Sequence, residues 1–166
     1  MDSLANFRGL TAAFVNPLAI AGTTSTFTST VTTAGLINGK FATALTAQTN
    51  AATPTTDHAT GLAFVAMGAN KTCAVVFGIN DAGTLKMAQG PIIDTYVGVT
   101  TTVGAFKDAP NFPPMPDDFM PFAYTVVRTA PDAASWTPGT SSWTASGVTA
   151  STFKNVGQLP LRPQIA

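Results

Sequence analysis

The sequence predicts a mainly β protein: a single antiparallel β-sandwich or barrel-like domain with an extended N-terminal arm and a proline-rich C-terminal tail. The chain is rich in threonine and all of its acidic residues are aspartate. Threonine suits a pleated surface, whereas glutamate and lysine, which solvate helix faces, are absent or scarce. Short apolar runs alternate with turn residues along most of the 166 residues, a length that allows one domain with a real core. We therefore divide the chain into an arm (1–22), a β domain (23–158) and a tail (159–166).

The arm is apolar, and Asn16-Pro17 interrupts any helix in it. We do not expect a signal peptide, because the same two residues break the apolar core that such a peptide needs, and the run is too short to cross a bilayer. An ordered arm has to be held by its own domain, by a sister subunit or by a larger partner. We expect its apolar side chains to contact that partner, namely Phe7, Leu10, Phe14, Leu18 and Ile20.

The sequence of the first part of the β domain indicates a strand followed by a tight hairpin. Residues 23–33 are almost all Thr and Ser with a few apolar positions, which fits a strand with a sparse apolar side. Asn38-Gly39 between apolar residues is the strongest short hairpin pattern. A two-residue turn there makes Leu36 and Phe41 cross-strand neighbours on one face. Residues 48–61 are polar and predict a loop.

The clearest hairpin spans residues 71–89. Residues 73–77 form a short apolar run that predicts a strand covered on both faces. Asn80 to Gly83 predicts a turn whose glycine takes the left-handed conformation. The returning strand places Leu85 and Met87 on an apolar face, and places Thr84, Lys86 and Ala88 on a solvated face. Residues 62–67 are apolar too, and they suggest a three-stranded meander over 62–89.

The second half of the chain alternates extended segments with proline. Residues 92–102 have extended character, and residues 110–121 carry five prolines between apolar side chains. Proline removes ladder donors, so this second segment predicts a loop packed on its own domain. Residues 122–128 predict a clear strand, and residues 153–156 a last one. The prolines bar the tail from a helix.

No residue set predicts catalysis. Asp57 and His58 are adjacent, but neighbouring loop residues do not supply the geometry of a hydrolytic triad. Asp117 and Asp118 are adjacent too, whereas a glycosidase holds its two carboxylates across a cleft. The only cysteine, Cys73, lies in an apolar run and is interpreted as a small buried hydrophobe. We predict no enzyme, no metal and no cofactor.

Charge and hydropathy limit the classes of partner that the protein can bind. The formal net charge is zero, which argues against nucleic acid, because its binders need a basic surface to release counterions. Only 10% of the residues are charged and 45% are hydrophobic, so the surface must expose apolar side chains. Such a surface suits assembly. An alternative comes from Trp136 and Trp143, which flank a Pro-Gly turn: if exposed, they could stack on sugars in a carbohydrate adhesin.

Several weak motifs occur in a recognisable order. They are Ile37-Asn38-Gly39-Lys40, the loop 50–61 with Thr53-Pro54-Thr55-Thr56-Asp57, Phe77-Gly78 with Asp81-Ala82-Gly83, Ala88-Gln89-Gly90, the segment 113–124, and Leu159-Pro160 with Arg162-Pro163-Gln164. Together, over about residues 36–164, they resemble the capsid decoration (cement) proteins encoded among the head genes of tailed bacteriophages. The family pattern carries an acidic residue where this chain has Leu161. The arm takes no part in the resemblance.

The resemblance implies a virion structural protein on the outer surface of the capsid, which binds the shell of the major capsid protein and stabilises it. It implies contact surfaces and no catalytic set. Among phage proteins, the alternative is a receptor- or glycan-binding module of a head fibre or tail fibre. We expect a homo-oligomer, with a trimer favoured over a dimer, and we expect Leu161 and Arg162 of the tail to contact a partner. No nucleic acid and no membrane are expected as partners.

Overall fold

The structure is a computed structural model, and it describes residues 11–13, 25–29 and 32–165. These residues form antiparallel strands and no helix, which confirms the mainly β prediction, and their sheets do not close into a barrel. The strands are β1 (Ala12–Ala13), β2 (Thr26–Ser29), β3 (Gly35–Ile37), β4 (Lys40–Phe41), β5 (Gln48–Ala52), β6 (Lys71–Ile79), β7 (Leu85–Gln89), β8 (Ile93–Asp94), β9 (Met120–Thr129), β10 (Val148–Ala150) and β11 (Lys154–Asn155).

The main sheet has the strand order β10-β9-β6-β7, and β8 and β11 pair with β6 and β9 outside this order. β6 therefore lies in the interior, between β9 and β7. Every residue from Thr72 to Ile79 is buried, which confirms a strand covered on both faces. Its continuous apolar sequence follows from this position, because neither face of the strand meets water.

The turn between β6 and β7 is the predicted one. The Gly83 amide donates to the Asn80 carbonyl at 3.0 Å, and Gly83 has a φ of 73°. The Asn80 side-chain oxygen accepts from the Thr84 amide at 2.9 Å. The predicted solvated face of β7 is wrong at Ala88, which is fully buried against Val76. The reason is that a second layer covers this face of the sheet as well.

The main sheet carries a core on each face. On the first face, Cys73, Val75 and Phe77 of β6 pack with Trp136 and Trp143. On the second face, Val76, Ala88, Tyr124 and Phe119 form a smaller core. Phe112 and Met115 of the proline-rich segment cover that smaller core, and the rings of Phe112 and Tyr124 meet edge to face at 5.0 Å. The predicted packing of this segment on its own domain is confirmed.

β9 begins two residues before the predicted strand and includes Pro121. The register pairs Phe77 with Ala123 but Gly78 with Pro121, so Phe122 is an extra residue in a β-bulge. A bulge tolerates proline, which has no amide hydrogen to donate to the ladder. Because of the extra residue, Phe122 and Ala123 both contribute to the first core.

Two small sheets lie outside the main one, with the orders β2-β5 and β1-β3-β4. The Asn38-Gly39 turn joins β3 to β4, and Leu36 pairs with Phe41 as predicted. Leu36 is buried whereas Phe41 is 85% exposed, because β4 is the outer strand of its sheet. β5 lies within the segment predicted as a loop, so that prediction is wrong for residues 48–52.

The predicted strand over residues 62–67 is wrong. Ala63 and Met67 form only isolated bridges, to Thr56 and Trp136 respectively. Leu62 is 69% exposed and Val65 is 64% exposed. The run is apolar in sequence, but only some of its side chains reach the core.

Three residues of the arm are described. Ala12 and Ala13 pair with Leu36 and Gly35 of β3. The Ala13 amide donates to the Gly157 carbonyl at 2.9 Å, and the Asn38 amide donates to the Thr11 hydroxyl at 3.2 Å. This part of the arm is thus held by its own domain. The predicted contact residues of the arm lie outside the described residues, namely Phe7, Leu10, Phe14, Leu18 and Ile20.

Candidate partner-contact surfaces

His58 is paired with a different aspartate from the adjacent one. Its Nε2 lies 3.1 Å from Oδ1 of Asp118, and its ring centroid lies 5.4 Å from that of Phe119. Asp57 is buried, and its Oδ1 accepts from the Ala59 amide at 3.0 Å and from the Gln89 amide at 3.4 Å. The Asp57 carboxylate therefore closes a turn and ties it to β7, while His58 ties the same turn to the proline-rich segment.

Cys73 is inert by burial. Its thiol has no exposed surface, and its sulfur lies 3.2 Å from the sulfur of Met67. Burial raises the pKa of the thiol to about 12, so the nucleophilic thiolate does not form at neutral pH. The prediction of a small buried hydrophobe is confirmed. Within residues 11–13, 25–29 and 32–165, no three His, Cys or Asp side chains are grouped so that they could hold a metal ion.

Both tryptophans are core residues. Trp136 is 1% exposed and Trp143 is 3% exposed, and their ring centroids are 5.1 Å apart. The Trp136 indole donates to the Ser142 carbonyl at 2.9 Å. Neither ring can stack on a sugar. The exposure on which the glycan-binding alternative relied is therefore absent at these two positions, because the rings cover the first face of the main sheet.

A hairpin spans residues 95–106, and we name it the 95–106 hairpin. Thr95 bridges Phe106, and the Tyr96 amide donates to the Ala105 carbonyl at 2.9 Å. Towards the tip, amides and carbonyls of Val99 and Thr102 exchange hydrogen bonds of 3.1 and 2.8 Å. A Cβ at Gly98 would overlap the Thr102 carbonyl oxygen. The two branches can approach this closely only because that position has no side chain.

The base of the hairpin is anchored to the main sheet. Arg128 of β9 donates from its guanidinium to the Gly104 carbonyl at 3.0 Å, and the guanidinium lies 4.6 Å from the Phe106 ring centroid. Asn70 accepts the Thr95 amide on its carbonyl at 3.0 Å and the Gly98 amide on its side-chain oxygen at 3.3 Å. These contacts fix the hairpin to the body of the protein at several points.

An ion pair lies beside this anchor. Lys71 at the start of β6 pairs with Asp94 of β8, and the hydrogen bond and the charge of Lys71 lower the pKa of the Asp94 carboxyl. The Lys71 side chain is 39% exposed and the Asp94 side chain 58% exposed, so water screens the pair and it contributes little to stability. It does connect β8, which leads into the hairpin, to the central strand.

The hairpin exposes apolar side chains. Tyr96 is 59% exposed, Val97 is 75% exposed and Val99 is 74% exposed. Three exposed apolar side chains within four residues of an anchored backbone indicate a candidate protein-binding surface. This surface could not be predicted from the sequence, because residues 92–102 show only extended character. The glycines at 98 and 104 on either side of a threonine run were the one local indication of a tight reversal.

The tail is extended and displays the two residues predicted to contact a partner. Leu161 is 96% exposed and Arg162 is exposed. The flanking residues are fixed, since Leu159 packs on the second core, Pro163 is buried, and the Gln164 amide donates to the Tyr124 hydroxyl at 3.0 Å. Leu161 and Arg162 therefore project from a tail that is held on both sides.

Two of the grooves in the described part of the chain lie among these surfaces. The larger, of about 650 Å³, lies between β5 and the turn at His58, with Phe27 and Leu45 among its lining. The smaller, of about 480 Å³, lies between Phe41 and the turn at Asp117.

Comparisons of the chain with protein-family models, with curated proteins and with solved structures give no match. Among the described residues, none belongs to a helix with the length and apolarity needed to span a bilayer.

Proposed function

We propose that this protein is a virion structural protein that decorates and stabilises the capsid of a tailed bacteriophage. In this proposal it binds the outer surface of the shell formed by the major capsid protein. The order of sequence motifs supports the assignment to capsid decoration. The single structural observation that supports it best is the anchored 95–106 hairpin with its exposed apolar side chains.

The hairpin suits a docking role because its backbone is already ordered. Arg128 and Asn70 hold its base, so little conformational entropy is lost when its tip binds a partner. Val97 and Val99 then supply apolar surface that leaves water on binding. The zero formal net charge also removes long-range repulsion between many copies packed on one shell.

The magnitudes show that the hairpin does not act alone. Full burial of one large apolar side chain contributes about 1.5–3 kcal/mol, so Tyr96, Val97 and Val99 together supply on the order of 5 kcal/mol. A micromolar dissociation constant corresponds to about 8 kcal/mol. Stable attachment therefore needs further contacts, from the arm or the tail, or several linked copies that bind together.

The test compares two exposed valines. Val97→Asp places a charge on the hairpin, and Val65→Asp places the same charge on a surface of similar exposure outside it. Capsids assembled without this protein, from the genome that encodes it, are incubated with each variant and sedimented. We expect Val97→Asp to lower occupancy at least tenfold and Val65→Asp to leave it near that of the unaltered protein.

Electron microscopy of the loaded particles gives the second readout. We expect copies at regular sites over the head. Copies found only at a fibre tip would contradict the proposed function. Equal occupancy by the two variants would contradict the proposed role of the hairpin.

A further inference from the structure

We propose that the groove between β5 and the start of β7 binds the C-terminal end of another polypeptide, as a short added strand with a free carboxylate. The groove has a volume of about 650 Å³, and residues of both strands line it. The inference goes beyond capsid decoration, because it assigns a peptide site to the protein on its own. The ligand is defined by its chemistry: an extended backbone, an apolar last side chain and a terminal carboxylate.

The backbone of Leu85 faces this groove. β7 is the outer strand of the main sheet, beside β6. On the side of β6, the Thr84 carbonyl accepts from the Asn80 amide at 3.2 Å. On the outer side, the Met87 carbonyl accepts from the His58 amide at 2.8 Å. Backbone groups of successive strand residues point in opposite directions, so Leu85 directs its amide and carbonyl outward, as Met87 does.

These two backbone groups of Leu85 have no partner among the residues that the structure describes. Leu85 is only 6% exposed, so water has little access to them. Backbone groups that are shielded from water are nearly always paired. An extended peptide supplies both partners, because one of its carbonyls accepts from the Leu85 amide and one of its amides donates to the Leu85 carbonyl. A lone secondary amide cannot serve both groups, since its C=O and N–H point in opposite directions.

An added strand cannot continue along β7. The edge at Met87 is already occupied, since Asp57 forms a parallel bridge with it and the His58 amide binds its carbonyl. A peptide that pairs with Leu85 must therefore end or turn away before it reaches Met87. A chain terminus fits this blocked edge, because it needs no path out of the groove.

The charge of the groove favours a terminal carboxylate. Lys86 lines the groove and has no ion pair with another described residue. Asp57 is the one acidic residue in the lining, and its Oδ1 already accepts from the Ala59 amide at 3.0 Å and from the Gln89 amide at 3.4 Å. The charge that lacks a partner is thus that of Lys86. A carboxylate beside it forms a charge-assisted hydrogen bond.

The apolar part of the groove defines the last side chain of the ligand. Phe27, Leu45 and Leu85 line the groove and are buried. An apolar side chain that packs on them leaves water on binding. We therefore expect valine or leucine to be preferred over aspartate at the last position of the peptide.

The test uses the full chain without capsids and a fluorescein-labelled peptide of alternating Thr and Val that ends in Val with a free carboxylate. Fluorescence polarisation measures binding, and the same peptide with a C-terminal amide is the matched ligand. Lys86→Gln removes the charge in the groove, and Lys107→Gln removes a charge elsewhere. Ala52→Trp fills the groove from an exposed position on β5. Thermal unfolding establishes that each variant is folded.

We expect the free-acid peptide to bind about fivefold more tightly than the amide, because only the acid pairs with Lys86. Lys86→Gln should remove this preference and leave the affinity for the amide unchanged. Lys107→Gln should keep the preference, and Ala52→Trp should abolish binding of both peptides. Methylation of the peptide nitrogens, one at a time, should identify one N–H whose loss weakens binding, since it donates to the Leu85 carbonyl.

Several outcomes would overturn the proposal. They are the absence of binding by either peptide, equal affinities for the acid and the amide, and a series of methylated peptides that all bind equally well. Tighter binding of N-acetylmuramic acid, a sugar with one amide and one carboxylate, would assign the groove to a glycan and would overturn the peptide site too. Because no capsid takes part in these measurements, their failure leaves capsid decoration as proposed.

Discussion

Cys73 lies at the centre of the protein, and burial raises the pKa of its thiol from 9.0 to about 12. In the unfolded chain the thiol ionises near its ordinary pKa, whereas in the folded chain it stays protonated. This difference in pKa contributes to the free energy of unfolding. The contribution is fully present below pH 9 and is lost as the pH rises towards 12. Above pH 9, unfolding is therefore favoured progressively by this one group.

Cys73→Ala should remove that dependence. Between pH 9 and pH 11 the free energy of unfolding of the unaltered protein should fall more steeply than that of the variant, by about 1.4 kcal/mol per pH unit. Denaturant titrations at several pH values measure both slopes. The variant starts from a lower stability because it leaves a cavity, so the slopes are compared and not the absolute values. Parallel slopes would show that the thiol titrates normally in the folded protein.

The β6–β7 turn, at the scale of elements, offers a comparison between two glycines. Gly83 has a φ of 73° and Gly61 a φ of 71°, so alanine meets similar backbone strain at both positions. A Cβ at Gly83 would lie 2.6 Å from the Thr43 carbonyl oxygen, whereas a Cβ at Gly61 would meet nothing within 4 Å. The Thr43 amide is bonded to the Asp81 carbonyl of the same turn, so the backbone there has little freedom to move away.

Gly61→Ala should lower the free energy of unfolding by about 1 kcal/mol or less, from strain alone. Gly83→Ala should lower it by on the order of 3 kcal/mol, since backbone displacement is added to the strain. Equilibrium unfolding of the two variants under the same conditions gives the difference. Equal losses would mean that the Thr43 segment yields without cost.

The sequence predicts the elements whose geometry is decided locally. The turns at Asn38-Gly39 and at Gly83 need left-handed backbone, and only a few residue types allow it, so both were predictable. Residues 62–67 were mispredicted because an apolar run does not reveal which side chains have a core to pack against. The 95–106 hairpin depends on Arg128, which is distant in sequence, and on a close backbone approach at Gly98. Neither the Arg128 contact nor the close approach at Gly98 produces a periodic hydrophobic pattern in the sequence.

At the scale of the whole molecule, the main sheet is enclosed by segments without regular structure. The proline-rich segment and the tail cover one face, and the two tryptophans with their loop cover the other. Sequence patterns predicted that the proline-rich segment would pack on the domain. The same patterns do not indicate which face of the sheet each segment covers. The choice of face depends on the pairing of β6 with β9, and neither strand's sequence indicates which strand it pairs with. The displayed positions Leu161 and Arg162 were predicted as contacts, and their partner stays a proposal.

The interior position of β6 has a consequence for how the chain folds. Its hairpin with β7 closes over a short turn, a local event on the microsecond scale. The other edge of β6 pairs with β9, where Val75 lies opposite Thr125. Because these two strands are far apart in the sequence, this pairing forms more slowly than the hairpin. During that interval a largely apolar strand has one unpaired edge, which another chain can occupy. Refolding from denaturant should therefore return less native protein as the concentration rises, with aggregates making up the difference, and a yield independent of concentration would mean that β9 joins β6 before molecules meet.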